Sequence, residues 1–192
     1  MKVTNNISFG KQIPKATCSI INNISKRPQK VTIYEHDCED LKDYEYFKSL
    51  PSSWDFKETV SISAKSKYRF PLSNLGTKIY SMETDSGKTV GIMETCELGK
   101  ICTLEHLESH YNGLYSYIGT MLLAFLSKEK IHDNVSLIVI PNPSPTAEKF
   151  YTQHCYYKKN HEIALEANRE SMKSLIQKAE EKTGSSIERT KK

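Results

Sequence analysis

Residues 107–123, LESHYNGLYSYIGTMLL, carry the plainest chemical potential in the chain. They read as the end of a strand, a loop and the start of an apolar helix, with Gly119 and Thr120 where the helix begins. Backbone N–H groups at a helix start have no intrahelical partner and point into the preceding loop, so the junction suits a phosphate. About twenty residues on comes an apolar run, VSLIVIPN, followed by PTAEKFYTQHCYYK, which brings Tyr151 and a cluster of other aromatic residues. A tyrosine hydroxyl is a proton donor at neutral pH.

The elements that position them follow from pattern. Residues 1–29 are polar, with Pro14 and Pro28 as punctuation, and predict irregular chain with at most a short strand near 18–21. Residues 31–34 form a short β-like run. Leu41, Tyr44, Phe47 and Leu50 fall on one helical stripe over 40–50, which Pro51 ends. Trp54 and Phe56 anchor the next loop. Residues 57–76 are ambiguous, with VSIS alternating like a strand. TKIYSMET and KTVGIMETCEL flank Asp85, Ser86 and Gly87 and predict a hairpin. ICTLEHLES follows after Gly99 and completes an antiparallel meander. Residues 118–126 predict a buried helix closed by the charged stretch 128–130. The β-branched run 135–140 predicts a strand buried on both faces. Residues 146–153 predict a short helix, with Pro145 tolerated near its start, and 155–157 a returning strand. A helix over much of 162–182, ended by Gly184, and a fraying tail complete the chain.

Composition narrows the class. Apolar residues make up 38% of 192, enough for one globular domain. Eleven tyrosines against one tryptophan put much of the aromatic area in rings with a polar tip, suited to a core edge or a cleft. A formal charge of +4, from 27 basic and 23 acidic residues, is too mild to argue nucleic-acid binding. No run of eighteen apolar residues predicts a membrane span, and the N-terminal residues lack the apolar stretch of a signal peptide. Cys18, Cys38, Cys96, Cys102 and Cys155 form no C-x-x-C pair; Cys96 and Cys102 fall in expected strands, where cysteine is usually a small buried hydrophobe. His106, His110 and His154 lack metal-ligand spacing. A reducing, cytoplasmic setting fits best.

The order strand, phosphate loop, helix, strand, short helix, strand resembles the core of the Gcn5-related N-acetyltransferases, the GNAT superfamily, over residues 77–157. The resemblance implies an α/β (α+β) fold with a mixed, mainly antiparallel central sheet flanked by helices and splayed at a cofactor slot. It implies one domain over 1–192: a divergent N-terminal part (1–76), an acetyl-CoA-binding core (77–157) and a charged C-terminal helix and tail (158–192). With Gly119 as the last glycine of the family's loop, Leu107 takes the strand leucine and Leu122 and Leu123 the paired helix leucines. Leu114 then replaces Arg or Gln, and Tyr117 replaces the first glycine. Asn142, Ala147, Phe150, Tyr151 and Tyr156 resemble the family's second segment, with Cys155 in place of its glycine.

By the same resemblance the co-substrate is acetyl-CoA, bound by Leu107, Glu108, Ser109, Leu114, Tyr115, Ser116, Tyr117, Ile118, Gly119, Thr120 and Asn142. Tyr151 falls on the tyrosine that protonates the leaving thiolate. The reaction implied is direct attack of a primary amine on the thioester, with a carboxylate or histidine as base. In a regular strand Thr103 and Glu105 share the face for that base and make Glu105 the candidate, with His106 and Glu108 opposite; a bulge reverses this parity. Tyr111, Tyr115 and Tyr117 either line a substrate mouth or cover the helix start. The changes at 114, 117 and 155 leave a second class open, a GNAT-like scaffold without catalysis that acts as a protein-interaction module.

Overall fold

The computed structural model describes residues 12–39, 41–110, 113–155, 157–160 and 164–190. Burial alternates at Ala16, Cys18 and Ile20, and this period of two makes residues 12–22 an eleven-residue strand, β1 (Gln12–Asn22), where the polar composition predicts irregular chain. β2 (Pro28–His36) pairs with it antiparallel. α1 (Lys42–Ser49) follows, but it buries Asp43, Tyr46 and Phe47 rather than the whole expected stripe: Phe47 and Leu50 are buried, Tyr44 is half-buried and Leu41 is exposed. The ambiguous stretch is helical: α2 (Lys57–Arg69) buries Val60 and Ala64, one turn apart, so the VSIS alternation is incidental. The meander forms as β3 (Thr77–Thr84), β4 (Thr89–Leu98) and β5 (Ile101–Ser109), with Gly87 at φ +76° in the hairpin turn.

Next come a two-residue strand, β6 (Tyr115–Ser116), paired to β1, and α3 (Ile118–His132). α3 is longer than its apolar run. Lys130 does not close it in solvent but is fully buried, ion-paired to Glu97 on β4. Burial pushes its ammonium down to about 8. β7 (Leu137–Pro141) leaves Leu137 and Val139 half-buried rather than sealed on both faces. α4 (Pro145–His154) begins on Ser144, whose hydroxyl accepts the Ala147 N–H. β8 (Lys158–Asn160) lies just beyond the expected 155–157. The expected C-terminal helix divides into β9 (Ala164–Asn168), drawn into the sheet by pairing with β7, and α5 (Arg169–Thr183), which ends on Gly184 at φ +64°. The tail does not simply fray, because β10 (Glu188–Arg189) pairs with β1. Tyr111 and Tyr156 lie outside the described residues.

The strands form one sheet in the order β10-β1-β2-β3-β4-β5-β7-β9-β8, antiparallel except where β5 meets β7. α3 and α5 cover one face. Their core includes Met121, Leu122, Leu123, Phe125 and Leu126 with Tyr80, Met93, Ile138, Met172 and Leu175. Each fully buried side chain of this size contributes about 1.5–3 kcal/mol. α1 and α2 cover the other face, packing Tyr46, Phe47, Trp54 and Val60 on Ile79 and Ile92.

Under α1 the fully buried His36 bonds Asp43 (Nδ1 to Oδ1, 2.7 Å) and Ser81 (Nε2 to Oγ, 2.9 Å). The order Ser–His–Asp matches a nucleophilic triad. Yet the Ser81 hydroxyl donates to Glu83 and no atom of Ser81 is exposed, so the network fastens α1 to the sheet. Asp43 also accepts the Cys38 N–H at 3.0 Å. Asp43→Ala strands both donors and is expected to lower unfolding free energy by about 3–5 kcal/mol in urea titration. A loss below about 1 kcal/mol would contradict this reading of the network.

Candidate active site

The site begins where two strands part. β5 pairs with β7 only over 101–103 against 137–139. β5 then runs on to Ser109 while β7 ends at Pro141, and the gap opens into a cleft of about 970 Å³. Leu107 and Ser109 line it from β5, residues 115–120 from β6 and the head of α3, and Ser144, Ala147, Phe150, Tyr151 and His154 from α4 and its cap.

The head of α3 faces this cleft with its first-turn amides. The Met121 N–H closes on the Tyr117 carbonyl, the first bond of the helix, and among the described residues no side chain caps the amides of Ile118, Gly119 and Thr120. Tyr117 precedes them in the left-handed region (φ +69°, ψ +12°), a conformation that favours glycine. Its ring is partly exposed and lines the cleft without closing it. The loop before it is fastened to Asn23, the residue just after β1: the Asn23 amide donates to the Leu114 carbonyl, its side-chain nitrogen to the Gly113 carbonyl, and Ser116 Oγ donates to Asn23 Oδ1. Gly119 is needed for packing. A Cβ there would sit 3.3 Å from Phe150 Cζ, so its absence lets α4 close against α3.

Tyr151, on α4, is 7% exposed and lines the same cleft. Its ring lies 5.2 Å from Phe150 and 5.7 Å from Tyr157. Burial, with a smaller contribution from Cys155, raises its phenol above the ordinary value and keeps it protonated at neutral pH.

The other face of β5 corrects the expected parity. The register shifts between His106, paired with Glu94, and Leu104, paired with Thr95, so a bulge falls at Glu105. Glu105 is exposed and does not line the cleft. His106 and Glu108 turn toward α1 and α2. Glu108 does not line the cleft either: its carboxylate accepts the Asp55 and Phe56 N–H groups at 2.8 and 2.9 Å and latches the start of α2 to the sheet. Phe56 lies over His106 with ring centres 4.8 Å apart. Leu114 and Asn142 are likewise absent from the cleft lining; Asn142 is exposed in a left-handed turn after β7.

Beside His106 stands a carboxylate that the sequence does not single out. Glu94 is 6% exposed, its Oε2 has no hydrogen-bond partner among the described residues, and that oxygen lies 4.0 Å from His106 Nε2. Burial pushes Glu94 up to about 7, with Glu105 adding and Ser63 opposing; burial also lowers His106, opposed by Glu105. The folded state thus takes up a proton that the unfolded chain binds only near 4.5. This stabilisation is full below that value and is lost as pH rises through 7. Glu94→Gln is therefore expected to be more stable than wild type at pH 8 by about 2 kcal/mol, with the gain vanishing at pH 4.5. Urea titrations at both pH values check it, and equal differences would contradict it.

Lysines from α5 complete the cleft. Lys178 and Lys182 line it, although the C-terminal sequence shows only a charged helical face. No three His, Cys, Asp or Glu side chains among the described residues group as metal ligands.

No family model and no curated protein matches the sequence. Solved structures match the fold. A GNAT-family acetyltransferase from Staphylococcus aureus superposes with a TM-score of 0.51 at 15% identity, over 72% of this chain and 99% of that one. Mutant forms of the spermidine/spermine N-acetyltransferase SpeG from Vibrio cholerae give 0.55 at 11%, over 75% and 98%. AtaTR bound with AcCoA gives 0.53 at 14%, over 76% and 97%. The chain has the fold of the GNAT superfamily, with the mixed, open sheet this fold entails.

Proposed function

We propose that the protein is an N-acetyltransferase that moves an acetyl group from acetyl-CoA to a primary amine. One observation carries the reading: the parting of β5 and β7 brings the uncapped amides of α3 and the protonated Tyr151 into a single cleft. The similar AtaTR structure is bound with AcCoA, and the N–H donors and depth of this cleft suit the pyrophosphate and arm of that molecule. Ile118, Gly119 and Thr120 hold the pyrophosphate. The backbone of Leu107, Glu108 and Ser109 lies along the pantetheine and the acetyl group.

The acceptor enters from the α1–α2 side. Its nitrogen attacks the thioester carbon, the C–N bond forms, the C–S bond breaks, and Tyr151 gives its proton to the departing thiolate. The amine proton passes to His106, which is backed by Glu94, and Glu105 on the bulge exchanges it with solvent. The open cleft favours this reading over the non-catalytic module, since Tyr117 leaves room for a ligand. The proposal places the protein in the cytoplasm as one functional domain over 1–192; no helix among the described residues is long and apolar enough to cross a membrane.

The test is release of CoA thiol from acetyl-CoA in the presence of spermidine, a lysine peptide or a peptide with a free N-terminus. Amine-dependent release with N-acetylated product is the expected result. Tight acetyl-CoA binding without transfer to any of these amines would favour the module.

A further inference from the structure

α5 lies across α3. At its end the Thr183 hydroxyl contacts Met121 Sδ at 3.8 Å, which sets the last turn of α5 over the first turn of α3. Lys178 and Lys182 are four residues apart and so share a helix face, and both line the cleft. Lys178 also acts electrostatically on Cys155 at the end of α4. The lysines therefore stand between the head of α3 and the tail of α4. No Asp or Glu appears among the described residues lining the cleft. α5 is a well-defined platform, capped by Asn168 at its start and by Gly184 at its end.

The cleft thus holds two separate anion-attracting groups, the amides of α3 and this ammonium pair. A ligand that uses both carries two separate anionic groups. CoA does: a pyrophosphate, and a 3′-phosphate monoester on its ribose. A monoester carries about −1.5 to −2 charges near neutral pH, more than either phosphate of a pyrophosphate diester, and draws a pair of ammonium groups most strongly. We propose that Lys178 and Lys182 bind the 3′-phosphate of the CoA moiety and make the cleft selective for the 3′-phosphorylated cofactor. This rests on the acetyl-CoA reading and adds to it a specificity determinant on the C-terminal helix.

Calorimetric titration of CoA and of dephospho-CoA, which lacks only the 3′-phosphate, tests it. Wild type is expected to bind CoA at least tenfold more tightly, roughly one charge-assisted hydrogen bond per lysine. K178Q/K182Q is expected to lose that preference while still binding dephospho-CoA about as wild type does. K178R/K182R keeps the charge and the preference. Lys173→Gln, exposed on α5 outside the cleft, leaves both affinities unchanged. A thermal melt of each variant checks folding. Wild type that binds both ligands equally, or a folded K178Q/K182Q that keeps the preference, overturns the proposal and leaves the acetyl-CoA reading standing. Wild type that binds neither overturns both.

Discussion

Tyr151→Phe is expected to slow acetyl transfer by about 100- to 1,000-fold while acetyl-CoA affinity stays within about twofold. The ring is what packs. It sits between Phe150 and Tyr157 at 7% exposure, and phenylalanine keeps that volume. Only the hydroxyl is lost, and with it the proton for the departing thiolate. Without it the sulfur leaves as an anion in a cleft walled by Leu107, Phe150 and Ala147, where charge is poorly solvated. An acyl donor whose leaving thiol is more acidic needs less help, so the deficit should shrink with an activated thioester. Equal loss of transfer and of binding would instead mean that Tyr151 shapes the cleft and gives no proton.

Gly119→Glu is expected to weaken acetyl-CoA binding by about 1,000-fold, since setting like charges side by side costs several kcal/mol. Two effects combine. The new Cβ meets Phe150 Cζ at 3.3 Å and forces the ring to move. The carboxylate then occupies the helix start, where the co-substrate's own negative charge belongs. Gly119→Ala separates the two, because it carries the contact without the charge, and should keep affinity within about tenfold. Thermal melts of both variants show whether the fold survives. A Gly119→Glu protein that is folded and binds as wild type does would place the phosphates elsewhere.

Much of the site is legible in the sequence because local chemistry decides it. A glycine at the head of an apolar helix marks the amide cluster at 118–120, and Pro145 marks the start of α4. What escapes is decided by distant contacts. β1 hides in polar residues, since only Ala16, Cys18 and Ile20 need face the core and Thr17 and Ser19 need not. β9 reads as helix because Ala, Leu and Glu favour helices, and pairing with β7 overrides that preference. The parity of β5 turns on a single bulge, which moves Glu105 to solvent and brings His106 beside Glu94. Lys178 and Lys182 read as an ordinary charged face until α5 is seen lying on α3.

A crystal structure with bound CoA tests most directly where the co-substrate lies. Pyrophosphate oxygens are expected within about 3 Å of the amides of Ile118, Gly119 or Thr120, with the pantetheine threaded between β5 and β7 and its sulfur beside the Tyr151 hydroxyl. CoA bound outside this cleft, or its sulfur remote from Tyr151, would contradict this placement.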